Sequence, residues 1–226
     1  MENSRLRCLI LLSGGLDSSA NLAFAHHYDT PCLALTIDYG QRAAKKEIEA
    51  SIKLAAYYEV PHQILDLRWL GALGGSALTS SAIEVPTIES AQLDDLATAK
   101  ATAKQVWVPN RNGLFINAAA AIAESRKIQQ IIVGFNKEEA ATFPDNSSQF
   151  LGVATLSLRY STSTGVKVAC YTDMMMKIEI VAALRNLPKA FPFDQVWSCY
   201  QGGDKMCGEC ESCKRFLRAT GASKLS

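Results

Sequence analysis

The stretch Leu9-Ile10-Leu11-Leu12-Ser13-Gly14-Gly15-Leu16-Asp17-Ser18-Ser19 constrains this chain more than any other. A short apolar run ends in a serine and two glycines, and an alanine- and leucine-rich segment follows at once. An apolar run closed by a glycine turn reads as a buried strand. The segment after it reads as a helix, with Asp17 or Ser18 near its N-cap. Small residues at such a turn leave backbone N–H groups free beside the positive end of a helix dipole, a ready site for a phosphate. A Walker loop would carry a lysine just before its Ser or Thr, and this loop has none. It therefore suits a departing pyrophosphate better than transfer of a terminal phosphoryl group. Leu12, Ser13, Gly14, Gly15, Leu16, Asp17, Ser18 and Ser19 are the candidate nucleotide contacts.

The same alternation continues. Cys32 to Ile37 makes a second buried strand, ending in the polar run Asp38-Tyr39-Gly40-Gln41-Arg42. Helical spacing runs from Ala43 to about Tyr58, and His62 to Leu67 reads as a third strand. A β-α-β-α-β order implies a parallel, Rossmann-like α/β sheet of the five-stranded type, with helices on both faces. Right-handed crossovers then bring Ser13 and Asp38 to one edge of the sheet. From Gly71 to about Lys104 the pattern lapses, and a long loop or insertion is expected there. Val108-Pro109-Asn110-Arg111-Asn112-Gly113 leads into a helix to about Arg126, Ile131 to Gly134 reads as a strand, and Met174 to Arg185 as a helix. Residues 1–190 form the expected nucleotide-binding domain and residues 191–226 a C-terminal metal-binding segment.

Seven cysteines are present, and four of them, Cys199, Cys207, Cys210 and Cys213, follow the pattern Cys-x7-Cys-x2-Cys-x2-Cys. Two-residue gaps let one tight turn present adjacent thiolates, and four thiolates fill the tetrahedral shell of Zn(II). The expected zinc is structural, because no coordination position remains for water. Cys8 and Cys32 lie in strand-like runs and read as core thiols, while Cys170 stands alone. With 23 basic and 22 acidic residues the formal charge is +1. No basic field draws the chain to nucleic acid or membrane, and a small-molecule substrate is favoured. No apolar run approaches ~18 residues, and no signal peptide is visible. A cytoplasmic location is expected.

The phosphate loop resembles that of the ATP pyrophosphatase superfamily. Taken with Thr36-Ile37-Asp38-Tyr39-Gly40-Gln41-Arg42, Ser76-Ala77-Leu78-Thr79, Val108-Pro109-Asn110-Arg111-Asn112, Phe143-Pro144-Asp145 and the cysteine motif, the chain resembles the 7-cyano-7-deazaguanine synthase family of queuosine biosynthesis from about residue 6 to 218. The resemblance implies an ATP-dependent carbon–nitrogen ligase. Such an enzyme adenylates 7-carboxy-7-deazaguanine, admits ammonia to form an amide, and dehydrates that amide through a second activation to the nitrile. It further implies Zn(II), ATP with Mg(II), and a homodimer.

Asp17 is then a candidate for holding Mg(II) or orienting the loop, with a helix cap as its plainer role. Asp38 is a candidate for touching adenosine or substrate, or for forming a turn. Arg111 suits a substrate carboxylate or a phosphate, because its planar guanidinium matches both. Lys177 stands where the family has a lysine at the start of its last helix. The family usually continues Pro-Asp with Cys-Arg, whereas here Asp145 is followed by Asn146 and Ser147, and Glu139 replaces a usual aspartate. Asp145, Asn146 and Ser147 are expected at the substrate, with Arg111 or Lys177 supplying the missing positive charge. The departure leaves open a different acceptor, including conjugation of a deazaguanine. Within the superfamily, tRNA thiolation would need a reactive thiol, for which Cys170 is the uncommitted candidate. A non-catalytic zinc-ribbon module is the remaining alternative.

Overall fold

The computed structural model describes residues 5–223 and 225. Its elements run β1 (Arg7–Leu11), α1 (Leu16–Tyr28), β2 (Thr30–Asp38), α2 (Ala44–Tyr57), β3 (His62–Asp66), α3 (Leu96–Val106), α4 (Arg111–Ser125), β4 (Gln130–Ile132), α5 (Lys137–Ala140), α6 (Ser148–Ser161), β5 (Lys167–Ala169), α7 (Lys177–Arg185) and α8 (Glu211–Thr220). The strands form one parallel sheet in the order β3-β2-β1-β4-β5. Chain order reverses direction beside β1, so the turn after β1 opens at the sheet's switch point, where such folds bind ligands.

Strand periodicity divides the interior in two. Cys8, Ile10, Leu12, Ala34 and Ile132 face a core shared with α1, α2 and α7. Leu9, Leu33, Leu35, Ile131 and Val168 face the opposite core, built with α4 and α6. Both faces are covered, which is why these strands read as continuous apolar runs rather than alternating ones. Pro31 has no N–H for the ladder, and the β1–β2 register slips there, Cys8 facing Pro31 and Leu9 facing Leu33.

Three expectations are corrected. The stretch from Gly71 to Lys104 is not all loop: after short 3-10 turns, α3 covers Leu96–Val106. Asp95 caps it by accepting from Thr98 N–H at 2.9 Å. Secondly, α1 begins at Leu16 with Gly15 at the N-cap, so Asp17 and Ser18 lie inside its first turn. Thirdly, α7 starts at Lys177, not Met174.

The C-terminal segment packs into the first core through Phe191, Val196, Phe216 and Ala219. It also binds the phosphate loop, with Trp197 N–H donating to the Gly14 carbonyl at 2.9 Å. Among the described residues no helix is long and apolar enough to cross a membrane.

Candidate active site

The turn between β1 and α1 is held by its own small residues. Gly14 takes a positive φ of 79°, and a Cβ there would stand 2.8 Å from both the Ala50 Cβ and the Glu47 carbonyl oxygen of α2. Only glycine allows both that backbone and that approach. Ser18 Oγ accepts from Ser13 N–H at 3.1 Å and lies 3.0 Å from Ser13 Oγ. Ser13, Gly15, Asp17 and Ser18 border a cavity of about 240 Å³ at the carboxyl ends of the strands, and Leu12 and Leu16 form part of its floor. Ser19 is fully buried and donates to the Gly15 carbonyl at 2.7 Å, so it braces the turn from behind.

Three charged side chains meet beside this turn. Lys177 Nζ forms an ion pair with Asp17 Oδ2 and a second with Glu139 Oε1 at 3.0 Å. Lys177 is 7% exposed, so these interactions operate largely out of water. Burial pushes the Asp17 carboxyl up to about 6, against the opposing pull of Lys177. Burial acts to raise the Glu139 carboxyl, but Lys177, the Asn136 hydrogen bond and Arg111 together more than offset it and hold the group below its ordinary range. The two carboxylates drive the Lys177 ammonium well above the usual lysine range despite its burial. Asp17 Oδ1 is buried without a hydrogen-bond partner among the described residues, a condition that a water, an ion or a ligand group would relieve.

Arg111 is the second cation on the cavity wall. It opens α4, behind Asn110 at a positive φ of 51°, a conformation asparagine tolerates better than most residues. Its guanidinium donates from Nε to Asn112 Oδ1 at 3.3 Å and lies over the Tyr39 ring, 5.9 Å from the centroid. Burial works against its charge, but Tyr39, Asp145 and Glu139 more than offset that effect. Unlike Lys177, it forms no salt bridge among the described residues, so its charge is available to a ligand.

Aromatic side chains supply the apolar walls. Trp107 and Phe143 lie nearly parallel, at 7° and 6.2 Å between centroids. Tyr39 packs against Phe115 at 5.4 Å. Asp145 and Asn146 reach the cavity beside them, and burial raises the Asp145 carboxyl against the pull of Arg111. Glu47 also borders the cavity, accepts from Gln41 Nε2 at 2.7 Å, and is raised by burial.

Two candidates stand off the cavity wall. Asp38 accepts from Gly40 N–H at 3.0 Å and lies 4.0 Å from Arg68, the geometry of its plainer turn-forming role. The Ser147 hydroxyl donates to the Pro144 carbonyl at 2.7 Å and caps α6 by accepting from Phe150 N–H at 3.2 Å. Cys170 lies behind the site, its thiol 3.4 Å from the Phe135 carbonyl oxygen and raised by burial. It lacks the exposed, electropositive setting of a reactive thiolate.

Glu47, Trp107, Phe143 and Tyr200 border the cavity without having been singled out as site residues. Glu139, noted above only for replacing a usual aspartate, also borders it, its N–H held by Asn136 Oδ1 at 3.0 Å at the start of α5.

Next to the cavity, Cys199, Cys207, Cys210 and Cys213 bring their sulfurs within 4.8 Å of one another, with Cys207 and Cys213 at 3.9 Å. A tetrahedron with Zn–S bonds of ~2.3 Å has edges of about 3.8 Å, so this four-cysteine centre fits a thiophilic metal ion. Cys213 lies in the first turn of α8, while Cys199 and Cys210 pack against Val85 of the segment after β3.

Fold and site together define a parallel α/β fold with a glycine turn at the sheet's switch point and, at its flank, a four-cysteine cluster that could hold a metal ion. The family model described as "Queuosine biosynthesis protein QueC" matches residues 7–225. Relatives named 7-cyano-7-deazaguanine synthase include those of Pelotomaculum thermopropionicum, 48% identical over 95% of this chain and 96% of its own, and Desulforamulus reducens, 49% identical over 95% and 93%. That of Bdellovibrio bacteriovorus is 48% identical over 97% of this chain and 94% of its own. The chain belongs to the QueC family. Among solved structures, U34-tRNA thiolase NcsA from Methanococcus maripaludis aligns over 96% of this chain and 70% of that chain. The TM-score is 0.46 at 13% identity, too loose a likeness to bear on function.

Proposed function

We propose that this chain is an ATP-dependent ligase that converts 7-carboxy-7-deazaguanine and ammonia to 7-cyano-7-deazaguanine. The observation that carries the reading is the meeting of the phosphate loop, the Asp17–Lys177–Glu139 cluster and the unpaired Arg111 around one aromatic-walled cavity. A carboxylate becomes electrophilic only when one oxygen is turned into a leaving group. Its oxygen attacks the α-phosphorus of ATP, pyrophosphate departs, ammonia adds to the activated carbon, and AMP leaves an amide. The amide oxygen is activated by a second ATP in the same way, and loss of AMP and protons leaves the nitrile.

These are tasks of positioning and charge stabilisation. Ser13, Gly15 and Ser18 cradle the phosphates at the N-terminus of α1. Lys177 offsets charge developing on the departing pyrophosphate, while Glu139 and Asp17 fix its ammonium. Arg111, which forms no salt bridge among the described residues and lies on the cavity wall, faces the substrate carboxylate. Trp107 and Phe143 offer flat faces to the heterocycle, with Asp145 and Asn146 at its polar edge. The arginine usual after Asp145 is thereby replaced from α4. Mg(II) accompanying ATP would be held by Asp17, whose Oδ1 has no protein partner, and it supplies charge neutralisation of the phosphates. The four cysteines would hold one structural Zn(II), with residues 191–226 as the metal-binding segment attached to a nucleotide-binding unit of 1–190.

Small-molecule substrates accord with the near-neutral charge, and a cytoplasmic location with a biosynthetic role of the family. A homodimer is supported by Val153, Leu156 and Tyr160, exposed at helical spacing along α6. Unpartnered apolar stripes of this kind mark association surfaces.

ATP–pyrophosphate exchange measured with and without 7-carboxy-7-deazaguanine tests the reading. Exchange that depends on the acid is expected. Poor exchange by a folded, metal-loaded protein that still binds ATP would refute the named acceptor and favour a different one, in line with Asn146 on the cavity wall.

A further inference from the structure

Lys177 is fixed at both ends, and the second attachment runs away from the cavity. Its backbone N–H opens α7, where no intrahelical acceptor exists. Met176 at the N-cap position has no side-chain oxygen to supply one. The acceptor comes instead from α5: Glu138 Oε1 lies 2.8 Å from Lys177 N. The other oxygen, Oε2, accepts from Arg215 at 2.7 Å and from Arg218 at 3.0 Å, both on α8. Arg215 is braced in turn by Glu211 at 2.8 Å and by the Leu93 carbonyl at 3.0 Å. The side chains of Glu138 and Arg215 are 6% and 10% exposed, so the link is nearly dry. Arg215 stands two residues after Cys213, in the helix whose first turn carries a metal-binding cysteine.

We propose that Glu138, clamped by Arg215 from the helix that carries Cys213, is a positioning residue that sets Lys177 against Asp17 and Glu139. The inference rests on the adenylation reading above. A buried ion pair adds little net stability compared with an apolar replacement, but it does fix geometry. Glu138 adjoins Glu139 on α5 and holds the first residue of α7, so it ties together two of the three members of the charged cluster. It also gives the four-cysteine cluster a route to the chemistry: a metal ion held there would order the start of α8, which carries Arg215, and Arg215 holds Glu138. A misplacement of about 1 Å at reacting groups costs on the order of 100-fold in rate.

A double-mutant cycle tests this, with kcat of acid-dependent ATP–pyrophosphate exchange and the Kd for ATP both measured. The proteins are wild type, Glu138→Ala, Lys177→Ala and the double variant. Glu138→Ala is expected to lower kcat about 10- to 100-fold in the wild-type background and to have no further effect once Lys177 is gone. Arg215→Ala should reproduce the loss. Glu138→Gln, which keeps an oxygen for the Lys177 N–H and guards against a folding failure, should recover part of it. Equal factors in both backgrounds would show a general structural role and overturn the proposal. Absent exchange in wild type would instead sink the adenylation reading, and the cycle would then be decided on ATP affinity by the same criterion.

Discussion

Gly134, just after β4, is the residue whose replacement should most directly disturb the phosphate loop. A Cβ built there lies 2.5 Å from both N and Cα of Ser18, in the first turn of α1. Ordinary contact begins near 3.4 Å, so Gly134→Ala demands roughly 0.9 Å of separation between β4 and α1. Neither element yields easily. Leu16, Ala20 and Leu22 hold α1 in the core, and Ile131 and Ile132 are buried in β4. Gly134 does not have a positive φ, so the penalty is steric rather than conformational. Overpacking of this kind costs about 1–3 kcal/mol, and a stiffer unfolded chain returns about 0.4–1 kcal/mol. These two terms bracket a net loss of about 0–2.6 kcal/mol, with about 1.3 kcal/mol at their midpoints. The displacement falls on Ser18, so the exchange rate should drop on the order of 100-fold, more than the stability loss alone would produce. Urea unfolding and ATP–pyrophosphate exchange on the same preparation measure both. Gly152→Ala is the control: nothing lies within 4 Å of its Cβ, and in a helix it should gain up to ~1 kcal/mol. A Gly134→Ala protein with wild-type midpoint and wild-type exchange would refute the steric argument.

Elemental analysis should find one zinc per chain, and Cys210→Ser should lower both metal content and Tm, since a structural metal contributes folding free energy. Lys177→Met leaves Asp17 and Glu139 buried without their cation, at a cost of about 3–5 kcal/mol. With Lys177 gone, burial is left to raise both carboxyls, which then stabilise the fold when protonated and oppose it as pH rises through their folded pKa. Urea midpoints should therefore show the deficit at about pH 7.5 and a partial recovery at about pH 5. Arg111→Ala should raise KM for the carboxylate substrate with little change for ATP, as steady-state kinetics would show. Ser147→Arg removes the α6 cap at a cost of about 1 kcal/mol, visible in the unfolding midpoint, while exchange continues.

What the sequence by itself determined is local. The strand–glycine turn–helix unit, the parallel α/β order and the four-cysteine cluster were legible because each is written in contiguous spacing: an apolar run before glycines, alternating periods, and two-residue gaps. Weak local signals were not legible. The α3 helix was hidden in a polar, threonine-bearing stretch, and β5 spans three residues. The tertiary structure alone decided the electrostatics of the site. Asp17 and Lys177 are 160 residues apart in sequence and Arg215 and Glu138 are 77 apart, yet both pairs are in contact. No spacing rule reaches that far. It also decided which candidates turn inward: Asp145 and Asn146 border the cavity, while neighbouring Ser147 is spent on a helix cap. A side chain's role depends on where its backbone points it and on which partner lies nearest. Both are set by the packing of helices against the sheet, which brings distant segments together out of water, where charges act most strongly.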